Sequence, residues 1–85
     1  MMEPLDGNAI AGELVELYGR EMTTATGACA NCGATAQIGE LWVYVRAPGT
    51  VVRCPSCGNV VMVIVTIHGT TLIDAARFSL RELPE

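Results

Sequence analysis

Between residues 6 and 22, apolar side chains recur every three or four positions, which is the spacing of one face of an α-helix. The members of this stripe are Ile10, Leu14, Val15, Leu17, Tyr18 and Met22. Asp6 and Asn8 are both suited to cap the start of such a helix, because their side chains accept from free backbone N–H groups. The pattern therefore predicts an amphipathic helix over 6–22.

In the second half of the chain the pattern changes to short runs of β-branched and aromatic residues, which are typical of strands. The predicted strands cover 41–46, 51–53, 60–67 and the residues from 72 to 74, with one brief strand within 34–40. The tail, 75–85, mixes apolar and charged residues and fits either a short helix or a covering segment. These elements predict a single small α+β domain spanning 1–85, with the helix packed on an antiparallel sheet.

Two Cys-x-x-Cys-Gly motifs stand at the ends of predicted strands. They contribute four cysteines: Cys29, Cys32, Cys54 and Cys57. Two thiolates with two residues between them can bind one ion when the chain turns tightly. The glycine that follows suits the left-handed backbone of such a turn. Four sulfurs in a tetrahedron are the ligands of structural zinc, with no position left for water. We therefore expect a zinc ribbon in which a metal-binding sheet over 27–74 carries a closed, non-catalytic site.

The same four cysteines are open to three other interpretations. A four-sulfur tetrahedron also suits iron, and "CPSCG" resembles the knuckles of rubredoxins, but this chain has few of the aromatic residues that pack around a rubredoxin site. Disulfides are disfavoured because the N-terminus lacks the features of a secretory signal, which predicts a reducing, cytoplasmic setting. A thioredoxin-like pair needs a helix N-terminus, whereas both pairs here precede strand-like sequence.

Charge and motif content narrow the function classes. The chain has nine acidic residues, five arginines and no lysine, for a net charge of −4. This balance opposes binding to a phosphate backbone. The apolar run within 60–67 is too short to cross a bilayer. "GNAIAG" lacks the Lys-Ser/Thr of a phosphate loop, and the one histidine, His68, falls in a predicted turn. We expect a non-catalytic protein that does not act on a membrane. A ribbon that binds nucleic acid or the transcription machinery is an alternative that the charge disfavours.

Two surfaces are candidates for a protein partner. With a hairpin turn at 47–50, one sheet face carries Trp42, Tyr44, Arg46 and Arg53. It is a face that binds a protein partner, or one that contacts nucleic acid or the transcription machinery, or a half-exposed face steadied by a cation–π contact between Tyr44 and Arg53. The strand 60–67 is apolar on both faces. One face can meet the helix, and the other needs cover from the C-terminal segment or from a second copy in a homodimer.

The sequence also resembles a known family. "LDGNAIAGELVELYGREMTTATGACANCG" and "YVRAPGTVVRCPSCGNVVMVIV" are similar to short bacterial zinc-ribbon-like proteins of unknown function. The resemblance runs from Leu5 to about Asp74, and "LDGNA", "EMT" and "APGTVVRCPSCG" are its most specific pieces. It implies a cytoplasmic single-domain protein with the four cysteines as metal ligands. It implies no activity, substrate or partner, so the function expected is that of an interaction or regulatory module.

Overall fold

The computed structural model describes residues 5–46 and 49–83, which form one α-helix and eight strands. The helix, α1, is Ala11–Tyr18. The strands are β1 (Leu5–Asp6), β2 (Thr26–Cys29), β3 (Thr35–Gln37), β4 (Trp42–Arg46), β5 (Gly49–Arg53), β6 (Val60–Ile67), β7 (Thr70–Asp74) and β8 (Phe78–Glu82). Two short 3₁₀ helices, Gly7–Ile10 and Ile38–Glu40, precede α1 and β4. The predicted α+β class is confirmed.

All strand pairs in the described part of the chain are antiparallel, and they form two separate sheets. The larger sheet has the order β1-β4-β5-β6-β7, and the smaller has the order β3-β2-β8. No described strand belongs to both sheets. The two sheets are therefore held together by side-chain packing and by contacts between their loops.

The helix is shorter than the predicted span of 6–22. Asp6 caps the 3₁₀ helix by accepting from the amide of Asn8 (3.0 Å), and α1 follows. Gly19 ends α1 in a left-handed conformation (φ 73°), and its amide donates to the carbonyl of Val15 (2.8 Å). The apolar stripe continued to Met22 because that side chain is buried after the helix has ended. A 3₁₀ turn and an α-turn have similar periods, so the pattern does not separate them.

The strand predictions differ from the structure at both ends of the chain, and neither β1 nor β2 was predicted. β4 and β6 lie where expected, while β7 begins two residues earlier and is not the final strand. The tail predicted as a helix or covering segment forms β8, which pairs with β2. The ring of Phe78 lies against Gly27, where an added Cβ would be 2.4 Å from a ring carbon. The absence of a side chain at Gly27 on β2 therefore leaves room for the ring of Phe78 on β8.

The hydrophobic core draws on α1, on both sheets and on two of the cysteines. Its members include Leu14, Met22, Ile38, Leu41, Val43, Val52, Val61, Met62, Ile64 and Phe78, together with Cys29 and Cys54. α1 faces this core through Leu14, which has no exposed surface. The cysteine knuckles are thus continuous with the core and not attached to its outside.

Candidate metal centre

The first cysteine knuckle is the hairpin loop between β2 and β3. The amide of Cys29 donates to the carbonyl of Ala34 (2.9 Å), and the amide of Gly33 donates back to the carbonyl of Cys29 (2.8 Å). Gly33 has φ 77°, a conformation that favours glycine. These bonds bring Cys29 and Cys32 onto the same side of a tight turn.

The second knuckle, between β5 and β6, repeats this geometry. The amide of Cys54 donates to the carbonyl of Asn59 (2.9 Å), and the amide of Gly58 donates to the carbonyl of Cys54 (2.8 Å). Gly58 has φ 79°. The equivalent bonds and the equivalent left-handed glycine show that the Cys-x-x-Cys-Gly sequence specifies its own local turn. The predicted conformation of both glycines is confirmed.

The two knuckles bring all four sulfurs together, with every pair within 4.8 Å. Two of these distances join one knuckle to the other. Cys29 Sγ lies 3.7 Å from Cys57 Sγ, and Cys32 Sγ lies 3.7 Å from Cys54 Sγ. Four sulfurs held tetrahedrally at ~2.3 Å from one ion would lie ~3.8 Å apart. The four thiols are free, and their spacing fits a single metal ion.

The burial of the four cysteines alternates along the chain. The first cysteine of each pair, Cys29 and Cys54, is buried at 3% exposure, while Cys32 and Cys57 are exposed. Half of the cluster therefore belongs to the core and half faces solvent. An ion held here would lie at the boundary of the core, where it ties the buried ends of two hairpins together.

Hydrogen bonds and crowding give the two exposed thiols opposite acidities. The amide of Asn59 and the side chain of Asn31 donate to the Cys57 sulfur, which lowers the pKa of Cys57 to about 6. At Cys32 the amide of Ala34 acts in the same direction, but desolvation and hydrogen bonds with the other three thiols raise its pKa to about 11. The opposite shifts mean that the thiols of the cluster titrate together and not one by one. A bound cation must displace the protons that the cluster still holds at neutral pH.

Metal retention is expected to depend on pH through these thiols. The pKa of Cys57 is lowered to about 6, so its thiolate persists above that pH and is lost as the pH falls through it. A bound dication stabilises thiolates further, so we expect full retention near neutral pH and release only when the pH is well below the value of about 6 for the metal-free Cys57 thiol. A metal-sensitive dye, read over a pH series alongside circular dichroism, measures this. Metal retention that does not change from neutral to strongly acidic solution would contradict thiolate ligation.

The predicted aromatic face exists, but its register differs from the expected one. Trp42 pairs with Arg53 and Tyr44 pairs with Val51, because the strands resume pairing at Arg46 and Gly49 and not beyond a four-residue turn. The predicted turn residues 47 and 48, and the side chain of Arg46, lie outside the described part of the structure. The shift is two residues, an even number, so Trp42, Tyr44 and Arg53 still share one face.

Arg53 connects this face to the second knuckle. Its guanidinium donates to the carbonyl of Gly58 (2.8 Å) and lies 6.0 Å from the centroid of the Tyr44 ring. The predicted cation–π contact is therefore present, at the outer limit of its range. His68 lies exposed in the turn after β6 with φ 51°, away from the cysteines in the fold as in the sequence.

Sequence reasoning missed Asn31, which stands between the two cysteines of the first knuckle and donates to Cys57 of the second. The position of Asn31 inside the motif can be read from the sequence. The direction of the side chain cannot, because it depends on how the two hairpins meet. Asn31 is thus a second contact between the knuckles, in addition to the sulfurs.

The fold and the cluster together define a small α+β protein with four cysteines placed to hold a metal ion. The chain belongs to a family of unknown function, DUF6510, whose model matches residues 1–85. Comparisons with curated proteins and with solved structures give no match. Within the described residues, no helix has the length and apolar character to span a membrane.

Proposed function

We propose that the protein is a non-catalytic zinc-binding module of the zinc-ribbon type, with Cys29, Cys32, Cys54 and Cys57 as the ligands. The observation that carries this proposal is the sulfur geometry: all four sulfurs lie within 4.8 Å, at separations suited to one tetrahedral ion. With four thiolates as ligands, no coordination position is left for water or substrate. The metal then acts on the fold and not on a reaction.

The position of the knuckles indicates what the ion does for the fold. The first knuckle joins β2 to β3 in the smaller sheet, and the second joins β5 to β6 in the larger sheet. Since no described strand pairs across the two sheets, an ion bound by both knuckles would cross-link them. The core of a chain this short contributes little net free energy of folding. A cross-link between the sheets would add to the stability that the core provides.

We propose zinc and not iron because of the residues that surround the site. Phe78 is the one aromatic residue in the buried core, while Trp42 and Tyr18 are exposed and Tyr44 is half-buried. One buried aromatic residue, Phe78, thus lies beside the site, opposite Cys29 on the neighbouring strand, whereas several aromatic residues pack around the site of a rubredoxin. Free thiols as ligands require a reducing compartment, so we place the protein in the cytoplasm.

Elemental analysis of protein purified without added metal tests this proposal. We expect about one zinc per chain and a colourless solution, because zinc has a filled d shell. Iron with a thiolate-to-metal absorption band would replace the proposal with a rubredoxin-like electron carrier. Protein that is folded under reducing conditions with no metal would overturn metal binding altogether.

The expected role of the stabilised fold is to present a surface to a protein partner. The face with Trp42, Tyr44 and Arg53 is the predicted partner face, and Trp42 is 41% exposed. A nucleic-acid partner is disfavoured, because the net charge of −4 becomes more negative when four thiolates bind one dication. The interaction module is therefore proposed to bind protein.

A further inference from the structure

The strand β6 extends beyond the end of β7, so its first residues have a neighbouring strand on one side only. β5 pairs with β6 as far as Val60, but the pairing with β7 begins at Val63, which lies opposite Asp74. Within the described residues, no backbone hydrogen bond joins residues 75–77, which follow β7, to residues 60–62. The edge of β6 over 60–62 is therefore open.

The turn between β6 and β7 determines which backbone groups face this open edge. Its two residues have φ 51° and 77°, which is typical of a two-residue hairpin turn closed by a hydrogen-bonded pair, here Ile67 and Thr70. Every second residue of β6 then directs its N–H and C=O toward β7, as far as Val63. The next residue in this series is Val61. The pairing with β5 shifts register at the same point and leaves Val61 without a partner there as well.

The segment that follows β7 turns away from β6 and is held in that position. The Asp74 carboxylate accepts from the amide of Ala76 (3.1 Å), so this amide is not available to β6. The carbonyl of Arg77 accepts from the amide of Ala30 in the first knuckle (2.9 Å), and the chain then enters β8. A cavity of about 430 Å³ lies between residues 60–63 and this turn. The tail thus lines the open edge without pairing with it.

We propose that this cavity binds an extended peptide, which pairs its main chain with the open edge of β6 and has an acidic side chain opposite Arg77. The inference rests on the proposed function for the role of the protein as an interaction module. Buried backbone N–H and C=O groups are almost always paired in folded proteins, and Val61 is 2% exposed. A peptide main chain offers both an acceptor and a donor at the spacing of a strand, as in the addition of a strand to a sheet edge.

The residues around the cavity indicate which side chains the peptide has. Asp74 and Arg77 both line the cavity, but the Asp74 carboxylate already accepts the amide of Ala76. Arg77 is exposed and forms no ion pair with a described residue, so its guanidinium is available to a carboxylate of the peptide. The side chains of Val60 and Val61 are apolar and fit β-branched neighbours. Because the open edge is short, the complex is expected to be weak and reversible.

Titration of the zinc-loaded full chain, followed by nuclear magnetic resonance, measures weak binding at each residue. The probe is a capped pentapeptide of valine and threonine with one central glutamate, added to millimolar concentration. We expect the amide signals of residues 60–62 and 74–77 to shift. The same peptide with N-methylated amides should not bind, because it lacks the N–H donors that pair with a strand edge.

A pair of arginine variants tests the contact with the acidic side chain. Arg77→Gln should weaken binding of the glutamate peptide by about two- to fivefold, which is the usual effect of one exposed ion pair. Arg81→Gln is the matched control, because Arg81 is also exposed but lies on β8 and outside the cavity. Both variants make the same change in net charge. Equal weakening by the two variants would overturn the contact at Arg77.

The outcomes separate this inference from the proposed function. An absence of shifts at residues 60–62, in a folded chain with zinc bound, overturns the peptide site and leaves the zinc module intact. Equal binding of the N-methylated peptide overturns strand pairing. Shifts of the same amides that follow protein concentration, without peptide, would assign the edge to a second copy of the chain and overturn the inference. A folded, metal-free chain that binds the peptide would support the inference and reject the zinc module.

Discussion

Replacement of Cys57 by serine is expected to unfold the protein at neutral pH. The substitution removes one of four sulfurs that lie within 4.8 Å and replaces it with a hydroxyl that does not ionise in this range. Structural zinc contributes on the order of 10 kcal/mol to folding, and a whole small domain has only about 5–15 kcal/mol of stability. Cys29→Ser should behave in the same way, with an added cost because Cys29 is buried in the core.

Far-ultraviolet circular dichroism and thermal unfolding, with metal content measured on the same samples, check this prediction. Ser56→Ala is the matched control, since Ser56 is exposed in the same knuckle and its contact with the Cys54 sulfur (3.4 Å) comes from the backbone amide. A strong chelator added to the wild type should reproduce the effect of Cys57→Ser. A variant that loses its metal yet keeps its fold would show that the metal is bound for another purpose.

The second large effect is expected from Gly7→Ala. A Cβ at this position would lie 1.7 Å from the carbonyl oxygen of Ile38 and 2.6 Å from its carbonyl carbon. Both atoms are backbone, so no side-chain rotation relieves the overlap, and the two 3₁₀ helices must move apart. We expect a loss of about 3 kcal/mol or more in the free energy of unfolding.

Chemical denaturation of the zinc-loaded protein measures that loss. Gly12→Ala provides the comparison, because Gly12 lies in α1 with nothing within 4 Å of an added Cβ. That substitution should stabilise the protein by about 0.5–1 kcal/mol, since alanine is the better helix former. If Gly7→Ala had the same stability as the wild type, the close packing of the two 3₁₀ helices would be wrong.

Both predictions concern the same structural problem, which is how a small chain holds two unpaired sheets together. Near Gly7 the connection is made by backbone segments in direct contact. At the knuckles it is made by Cys29 and Cys54 from the core and by Cys32 and Cys57 from the surface. Asn31 adds a hydrogen bond across the same gap.

The sequence by itself determined the local features. The spacing of the cysteines and the glycine after each pair specify the knuckle turns, because a left-handed residue and two backbone hydrogen bonds are encoded within six residues. The β-branched run of 60–67 specifies β6 to the residue. The helix was found but its length was not, because the buried Met22 extended an apolar pattern that Gly19 had already interrupted.

Only the tertiary structure decided how these pieces meet. β8 could not be predicted because a short segment of mixed polarity becomes a strand only when it pairs with a distant strand. That strand is β2, which also has a glycine, Gly27, against which the ring of Phe78 packs. The meeting of four sulfurs and the contact of Asn31 with Cys57 both depend on packing between distant segments. Such long-range pairings leave no periodic signal in the sequence, since their free energy comes from contacts that exist only in the folded chain.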